Sequence, residues 1–315
     1  MKTFLKTILT IALVSCLLLA CVCLHAGNYL YDYTLNPHSE KNIGEYMKLD
    51  TTKAKENKKW LLAHTTGVNI KSDDDLKLHG YVLDQNNVNH IYAIMVHGYR
   101  QDASSIVSPM KVFKRYGYNI LAIDLRGHGQ SGGNYYGMGY VDRLDLIDWI
   151  HYLVKKDAQA KIILYGVSMG AATVMCATGE TLPSNVICAV EDCGYSSVWS
   201  VFRQFIDLKN SWRSDLILGL SSFLIKERAG YYIQDAAPVD MVSHSSTPTL
   251  FIHGTSDSFV PCSMVYSLYK ACSAKKQLLV IKGAEHANSS HTDPKTYYHT
   301  VHAFINKYLK EESQS

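Results

Sequence analysis

Gly166-Val167-Ser168-Met169-Gly170 follows directly on the apolar run Lys161-Ile162-Ile163-Leu164-Tyr165. A Gly-x-Ser-x-Gly sequence between a strand and a helix forces its serine onto a tight, strained turn at the top of a sheet. Glycine at both flanks keeps neighbouring side chains from colliding where the strand reverses. The helix that follows turns its positive N-terminal end toward the serine. A junction of this kind commits the chain to strand, turn and helix in succession, and Ser168 is the candidate nucleophile. The pentapeptide alone is weak evidence, and its weight comes from what stands at matching places elsewhere.

Short continuous apolar runs recur at Ile91–Val96, Asn119–Ile123, Ile162–Tyr165, Val186–Val190, Thr249–Ile252 and Leu278–Ile281. Such runs, bounded by turn residues, suit strands buried on both faces of a parallel sheet. Helical stripes lie between them. Leu146, Ile147, Ile150, Leu153 and Val154 share one face, as do Tyr297, Val301, Phe304, Ile305 and Tyr308 near the C-terminus. Ahead of these, Trp60–Ile70 and Leu76–Leu83 read as an antiparallel hairpin turning at Ser72-Asp73-Asp74-Asp75. The pattern predicts a three-layer α/β sandwich around a mostly parallel eight-stranded sheet.

One connection is too long for a simple crossover. Roughly sixty residues separate Val190 from Thr249, far beyond the usual crossover. Val198, Trp199, Val201, Phe202 and Phe205, then Trp212, Leu216–Leu220, Phe223 and Leu224, form apolar helices within it. Helices so apolar must bury a face. Residues 196–236 are therefore expected to cap the carboxyl ends of the strands, where open α/β sheets bind ligands.

The first residues are a separate object. Lys2 and Lys6 precede an uncharged stretch from Thr7 to Gly27, close to the ~20 residues a helix needs to cross a bilayer. Positive charge before the span and none soon after orients the rest outward. A cleaved signal peptide would want small residues at its cut site, and Leu24-His25-Ala26 matches poorly. Leu18-Leu19-Ala20-Cys21 resembles a bacterial lipobox with an unusual leucine. An uncleaved anchor over 1–27 requires nothing further and is the expectation. Residues 28–59, polar and lysine-rich, read as a stalk before a catalytic domain over 60–312. Each alternative puts that domain outside the cytoplasm.

Composition narrows the partners. A formal charge of +3, with no basic run interleaved with aromatics, excludes a nucleic-acid surface. Cys176, Cys188, Cys193, Cys262 and Cys272 lie beyond the apolar segment, an odd number that cannot all pair internally. No Cys/His spacing suggests a metal. Asp73-Asp74-Asp75 lacks the alternating ligand spacing of a cation loop and reads as a solvated turn.

A serine hydroxyl needs a base and an orienting acid to become a nucleophile at neutral pH. His253-Gly254-Thr255-Ser256-Asp257 follows the seventh strand, and Gly283-Ala284-Glu285-His286 follows the eighth. Asp257 and His286 therefore emerge in loops at the same sheet edge as Ser168, in the chain order Ser, Asp, His. Asp192, after the sixth strand, is the rival acid, and His291 is a weaker rival base. His97, His128 and His253 are expected to make local turn hydrogen bonds. The oxyanion formed on attack needs backbone N–H donors already in place. Met169 supplies one, and Tyr99, in the Val96-His97-Gly98-Tyr99 loop, is the candidate for the second.

These stretches, with Asp124-Leu125-Arg126-Gly127-His128-Gly129-Gln130-Ser131, fall in an order that resembles the α/β-hydrolase superfamily. The likeness is to its capped serine hydrolases of the esterase, lipase and acyl-peptidase type and spans residues 60–310. It implies that Asp124, Arg126 and Ser131 brace the site rather than react. The N-terminal anchor, Asn28-Tyr29-Leu30-Tyr31-Asp32 and Glu191-Asp192-Cys193-Gly194-Tyr195 further resemble membrane-anchored hydrolases of Gram-positive bacteria.

The expected activity is cleavage of a small-molecule carboxylic ester through an acyl-enzyme, with no cofactor or metal. A peptidase or amidase would use the same three side chains. A protein that keeps this fold to bind without turnover is the reading from another class, and labelling of Ser168 by a fluorophosphonate separates it from both.

Overall fold

A computed structural model describes residues 2–39, 51–85, 89–206 and 211–312. Eight strands form one sheet: β1 (Thr66–Lys71), β2 (Lys77–Leu83), β3 (Ile91–Val96), β4 (Asn119–Asp124), β5 (Lys161–Val167), β6 (Val186–Asp192), β7 (Thr249–Gly254) and β8 (Lys276–Ile281). Their spatial order is β1-β2-β4-β3-β5-β6-β7-β8. β2 runs antiparallel to β1 and β4, and the remaining pairs are parallel. The eight apolar segments of the sequence thus all become strands of an α/β-hydrolase sheet.

Strand alternation divides the core between the two faces. Ile162 and Leu164 of β5 join a cluster with Leu146, Trp149 and Ile150, whereas Ile163 and Tyr165 join Phe113, Tyr297, Val301 and Phe304 on the other side. The helices that supply these residues are α3 (Val107–Arg115), α4 (Asp142–Lys156) and, at the C-terminal end, a long helix over Pro294–Glu312. Every residue of β4 is buried, as expected of a central strand covered on both faces.

The N-terminal region departs from the sequence reading. The first helix, α1, runs from Lys2 to Thr34, so residues 28–34 continue it rather than begin a stalk. Leu30, Tyr31, Thr34 and Leu35 recur at helical spacing and are buried. Burying a large apolar side chain contributes about 1.5–3 kcal/mol as an upper figure, so three of them hold this end firmly to the domain. Residues 51–64 form a second helix, α2 (Thr51–His64), which buries Leu61 and stacks Trp60 on His64. The first strand accordingly starts at Thr66, not Trp60. Residues 40–50 of the stalk expected over 28–59 lie outside the described residues.

Between β6 and β7 the chain inserts α6 (Val198–Phe205), α7 (Ser211–Ala229) and a short 3-10 turn over Ile233–Asp235. α7 packs along the far end of α1. A Cβ on Gly27 would lie 3.2 Å from Leu224 and 3.4 Å from the Ser221 backbone, so glycine there lets the helices approach closely.

Candidate active site

The helix α5 (Met169–Thr178) starts immediately after Ser168, whose backbone sits at φ 58° and ψ −118°. A non-glycine residue held there stores about 1–3 kcal/mol of strain. Glycine on each side makes the turn possible. A Cβ on Gly166 would come 2.2 Å from the Gly170 carbonyl oxygen, and one on Gly170 would come 2.2 Å from that of Val96. The Ser168 N–H donates to the Asp192 carbonyl at 2.8 Å, which ties the turn to the end of β6.

Three loops converge on the serine. Ser168 Oγ lies 2.8 Å from His286 Nε2, and His286 Nδ1 lies 2.7 Å from Asp257 Oδ2. With Nδ1–H donating to the carboxylate, Nε2 is left to accept the serine proton. Asp257 Oδ1 accepts the Phe259 and Val260 N–H groups at 3.0 and 2.8 Å. His253 Nε2 approaches Asp257 Oδ2 at 3.2 Å as well. Burial works against the Asp257 charge, yet the hydrogen bonds from His253 and His286 hold its pKa well below the usual carboxylate range. The carboxylate therefore stays ionised beside an imidazole.

The rival residues go elsewhere. Asp192 accepts from the Tyr297 hydroxyl at 2.9 Å, and burial pushes its carboxyl up to about 6. His291 meets Lys53 at 3.0 Å in an exposed position. His97 lies 2.8 Å from the Gly98 carbonyl and accepts from the Leu125 N–H. His128 pairs in the same manner with the Arg126 carbonyl and the Arg100 N–H. His253 keeps its expected local role, its Nε2 lying 2.9 Å from the Val260 carbonyl, and in the same loop it also approaches the acid that orients His286.

Both expected oxyanion donors border the serine. Met169 is the first residue of α5, so its N–H has no partner within the helix. Tyr99 lines a small cavity with Ser168 and Met169. A Cβ on Gly98 would lie 3.4 Å from that of Ser168, which shows how near this loop comes. The Tyr99 phenol donates to the Thr34 carbonyl at 2.7 Å, and burial pushes its pKa up, so it remains a donor.

Asp124, Arg126 and Ser131 act in bracing. The Asp124 carboxylate accepts the Ala103 and Gln130 N–H groups, each at 2.9 Å. Arg126 binds Asp145 through two nitrogens at 2.7 and 2.6 Å and reaches Asp74 at 3.0 Å. One member of the acidic turn is thus an ion-pair partner. Ser131 Oγ donates to the Asp124 carbonyl at 2.6 Å.

The sequence reading assigns no role to two buried groups near the relay, Glu191 and Cys193. Glu191 accepts the Gly194 N–H at 3.0 Å with one oxygen, and burial pushes its carboxyl up to about 8. Cys193 Sγ lies within 4.8 Å of ligand atoms of Asp257 and His286, but burial raises its thiol well above the ordinary range and keeps it neutral. The carboxylate and imidazole of that cluster already bind each other. The cysteines beyond α1 are all free thiols.

The surroundings of the serine are asymmetric. On one side the cavity of about 20 Å³ is closed by Met138, Tyr195, Val201, Phe202 and Phe259. On the other, a cleft of about 640 Å³ runs past His286, Arg100, Gln101 and Lys53. The first space is walled by apolar surface, whereas the second is lined by charged and polar side chains.

Sheet, strained serine turn and imidazole relay define an α/β-hydrolase of the serine hydrolase type. The prolyl oligopeptidase family profile matches residues 104–312, and the chain belongs to that family. It is 28% identical to the uncharacterized Bacillus subtilis protein YqkD over 213 residues, 67% of this chain and 70% of that one. The Pyrococcus furiosus esterase Pf2001 has a similar fold, with a TM-score of 0.63 and 23% identity over 80% of this chain and 95% of its own. An acylaminoacyl peptidase of Pyrococcus horikoshii gives 0.59 and 18% over 78% of this chain and 42% of its own.

Proposed function

We propose that this protein is a membrane-tethered hydrolase that cleaves carboxylic esters through an acyl-enzyme on Ser168. The hydrogen-bonded series Ser168, His286, Asp257, at 2.8 and 2.7 Å, carries the proposal. As Ser168 Oγ attacks the ester carbonyl, His286 Nε2 takes its proton and Asp257 stabilises the imidazolium. The Met169 and Tyr99 N–H groups receive the oxyanion, and each such donor contributes about 3–4 kcal/mol to the transition state. His286 then protonates the departing alkoxide. A water, deprotonated by the same nitrogen, releases the acid and restores the serine. The chemistry calls for no cofactor.

The apolar closure of the Ser168 cavity supports an acyl substrate, because Met138, Val201, Phe202 and Phe259 offer no partner for a charged group. Membership of the prolyl oligopeptidase family and the polar cleft beside His286 favour a second reading as a peptidase or amidase. Paired assays with p-nitrophenyl esters and aminoacyl or peptidyl anilides decide between them. Ester turnover exceeding anilide turnover is expected, and the reverse would transfer the assignment. Fluorophosphonate labelling that is lost in Ser168→Ala tests the nucleophile itself.

For location, α1 is long and apolar enough to cross a membrane. Its 33 residues make a helix of about 50 Å at 1.5 Å per residue, more than the ~30 Å of a bilayer core. The surplus end is the part that packs on the domain, which supports a retained anchor with the domain outside the cytoplasm. Recovery of a mature N-terminus at Gly27 or beyond would remove this part of the proposal.

A further inference from the structure

A second apolar hollow lies at the junction of α1 with the cap. It measures about 410 Å³ and is lined by Ala26, Tyr29, Leu30, Phe202, Ile206 and Ile217 among others. We infer that this groove takes the acyl chain of an ester lipid entering from the bilayer, so that the substrate of Ser168 is a membrane amphiphile.

Three observations converge on that occupant. The groove shares a wall with the serine cavity, since Phe202 lines both. Tyr99 and Thr34 link them a second time, one residue lining each space and a 2.7 Å hydrogen bond joining the pair. A turn of the Phe202 ring is the movement that would open one space to the other. The inner cavity alone, at about 20 Å³, is too small for an acyl chain; the outer one is large enough.

The groove also opens beside the membrane helix. α1 and α7 run in the same sense, because Gly27 faces Ser221 and Leu224 while Tyr31 faces Arg228. Passing back along α7 toward Trp212 therefore leads toward the apolar span of α1. Trp212, Leu216, Leu220 and Phe223 recur at helical spacing on α7 and are exposed, Phe223 to 67% and Trp212 to 62%. Arg213 lies over the Trp212 ring. Tryptophan beside arginine on an apolar stripe is the composition of a helix lying at a membrane interface. A lipid in the outer leaflet would meet this stripe and the groove mouth together. Its polar alcohol portion would fit the cleft that holds Arg100 and Lys53 on the far side of His286.

The reaction remains ester hydrolysis: the Ser168 Oγ–acyl bond forms as the ester C–O bond breaks, the serine proton leaves with the alcohol, and water completes the cycle. The inference rests on Ser168 being the nucleophile, and the test separates the two. The full-length chain in phosphatidylcholine vesicles is treated with a methyl and with a hexadecyl fluorophosphonate, the latter bearing a diazirine along the chain. After Ser168 is labelled, light should cross-link the hexadecyl chain to the 26–33 segment of α1 or to Ile217. Cross-links confined to Arg100 or His291 would overturn the inference while leaving Ser168 as nucleophile. Absence of labelling by either probe would overturn both. Ile217→Trp, which fills the groove, should slow hexadecyl labelling by about tenfold and alter methyl labelling by less than about twofold. An unchanged ratio of the two rates would also count against the groove.

Discussion

The Tyr99 hydroxyl donates to the backbone carbonyl of Thr34 at 2.7 Å, across 65 positions of sequence. One residue belongs to the proposed oxyanion loop and the other to the last turn of the long apolar helix α1. Tyr99→Phe leaves the Thr34 carbonyl unpaired, at a cost of about 1–3 kcal/mol. If this bond positions the Tyr99 N–H, kcat should also fall by about tenfold with KM little changed. Thermal unfolding and steady-state kinetics on the same preparation separate the effects. A lowered melting temperature with wild-type kcat would mean that the bond serves the fold alone.

Ser168 occupies a backbone conformation that glycine tolerates better than serine. Ser168→Gly is expected to raise the unfolding free energy by about 1 kcal/mol, because the relieved strain exceeds the added freedom of the unfolded chain. The same variant should take up no fluorophosphonate. Denaturant melts and gel fluorescence measure the two outcomes.

Asp257 and Asp192 stand at the ends of neighbouring strands, yet only Asp257 bonds to His286. Asp257→Asn should lower kcat by about ten-thousandfold, since it favours the wrong imidazole tautomer. Asp192→Asn should lower the melting temperature through its Tyr297 bond while keeping kcat within about tenfold of wild type. Equal kinetic losses in both variants would reopen the identity of the acid.

Glu191 supplies a pH dependence with a definite sign. Its folded pKa, about 8, lies above the ordinary 4.5 because burial disfavours the charge. The stability this confers is complete below pH 4.5 and drains away as the pH rises through 8. Glu191→Gln, neutral throughout, should melt close to wild type at acidic pH and above it at alkaline pH. Melting curves across that range would show the two proteins diverge as the pH rises, and parallel curves would refute it.

Much of this architecture can be read from residues close together in the chain. Gly166 and Ser168 shape their turn through near neighbours in the chain, Gly166 against the Gly170 carbonyl, so the pentapeptide read with its flanking strand and helix announces it. Buried strands are betrayed by continuous apolar runs, because both faces of each are covered. The loops bearing Asp257 and His286 could be placed at the Ser168 edge because parallel strands end on the same side. These are constraints of backbone geometry and local burial, and they leave a periodic trace.

Other relationships leave no such trace. The apolar composition of α1 does not say that the helix continues past Gly27 and docks on the domain, although the spacing of Leu30 and Tyr31 with Thr34 and Leu35 carries a weak signal. Tyr99 could be selected for its backbone, but not for a phenol that reaches Thr34. Such contacts join segments far apart in the chain. Their energy depends on three-dimensional packing, and a linear pattern of apolar and polar residues does not encode which distant surface will be met.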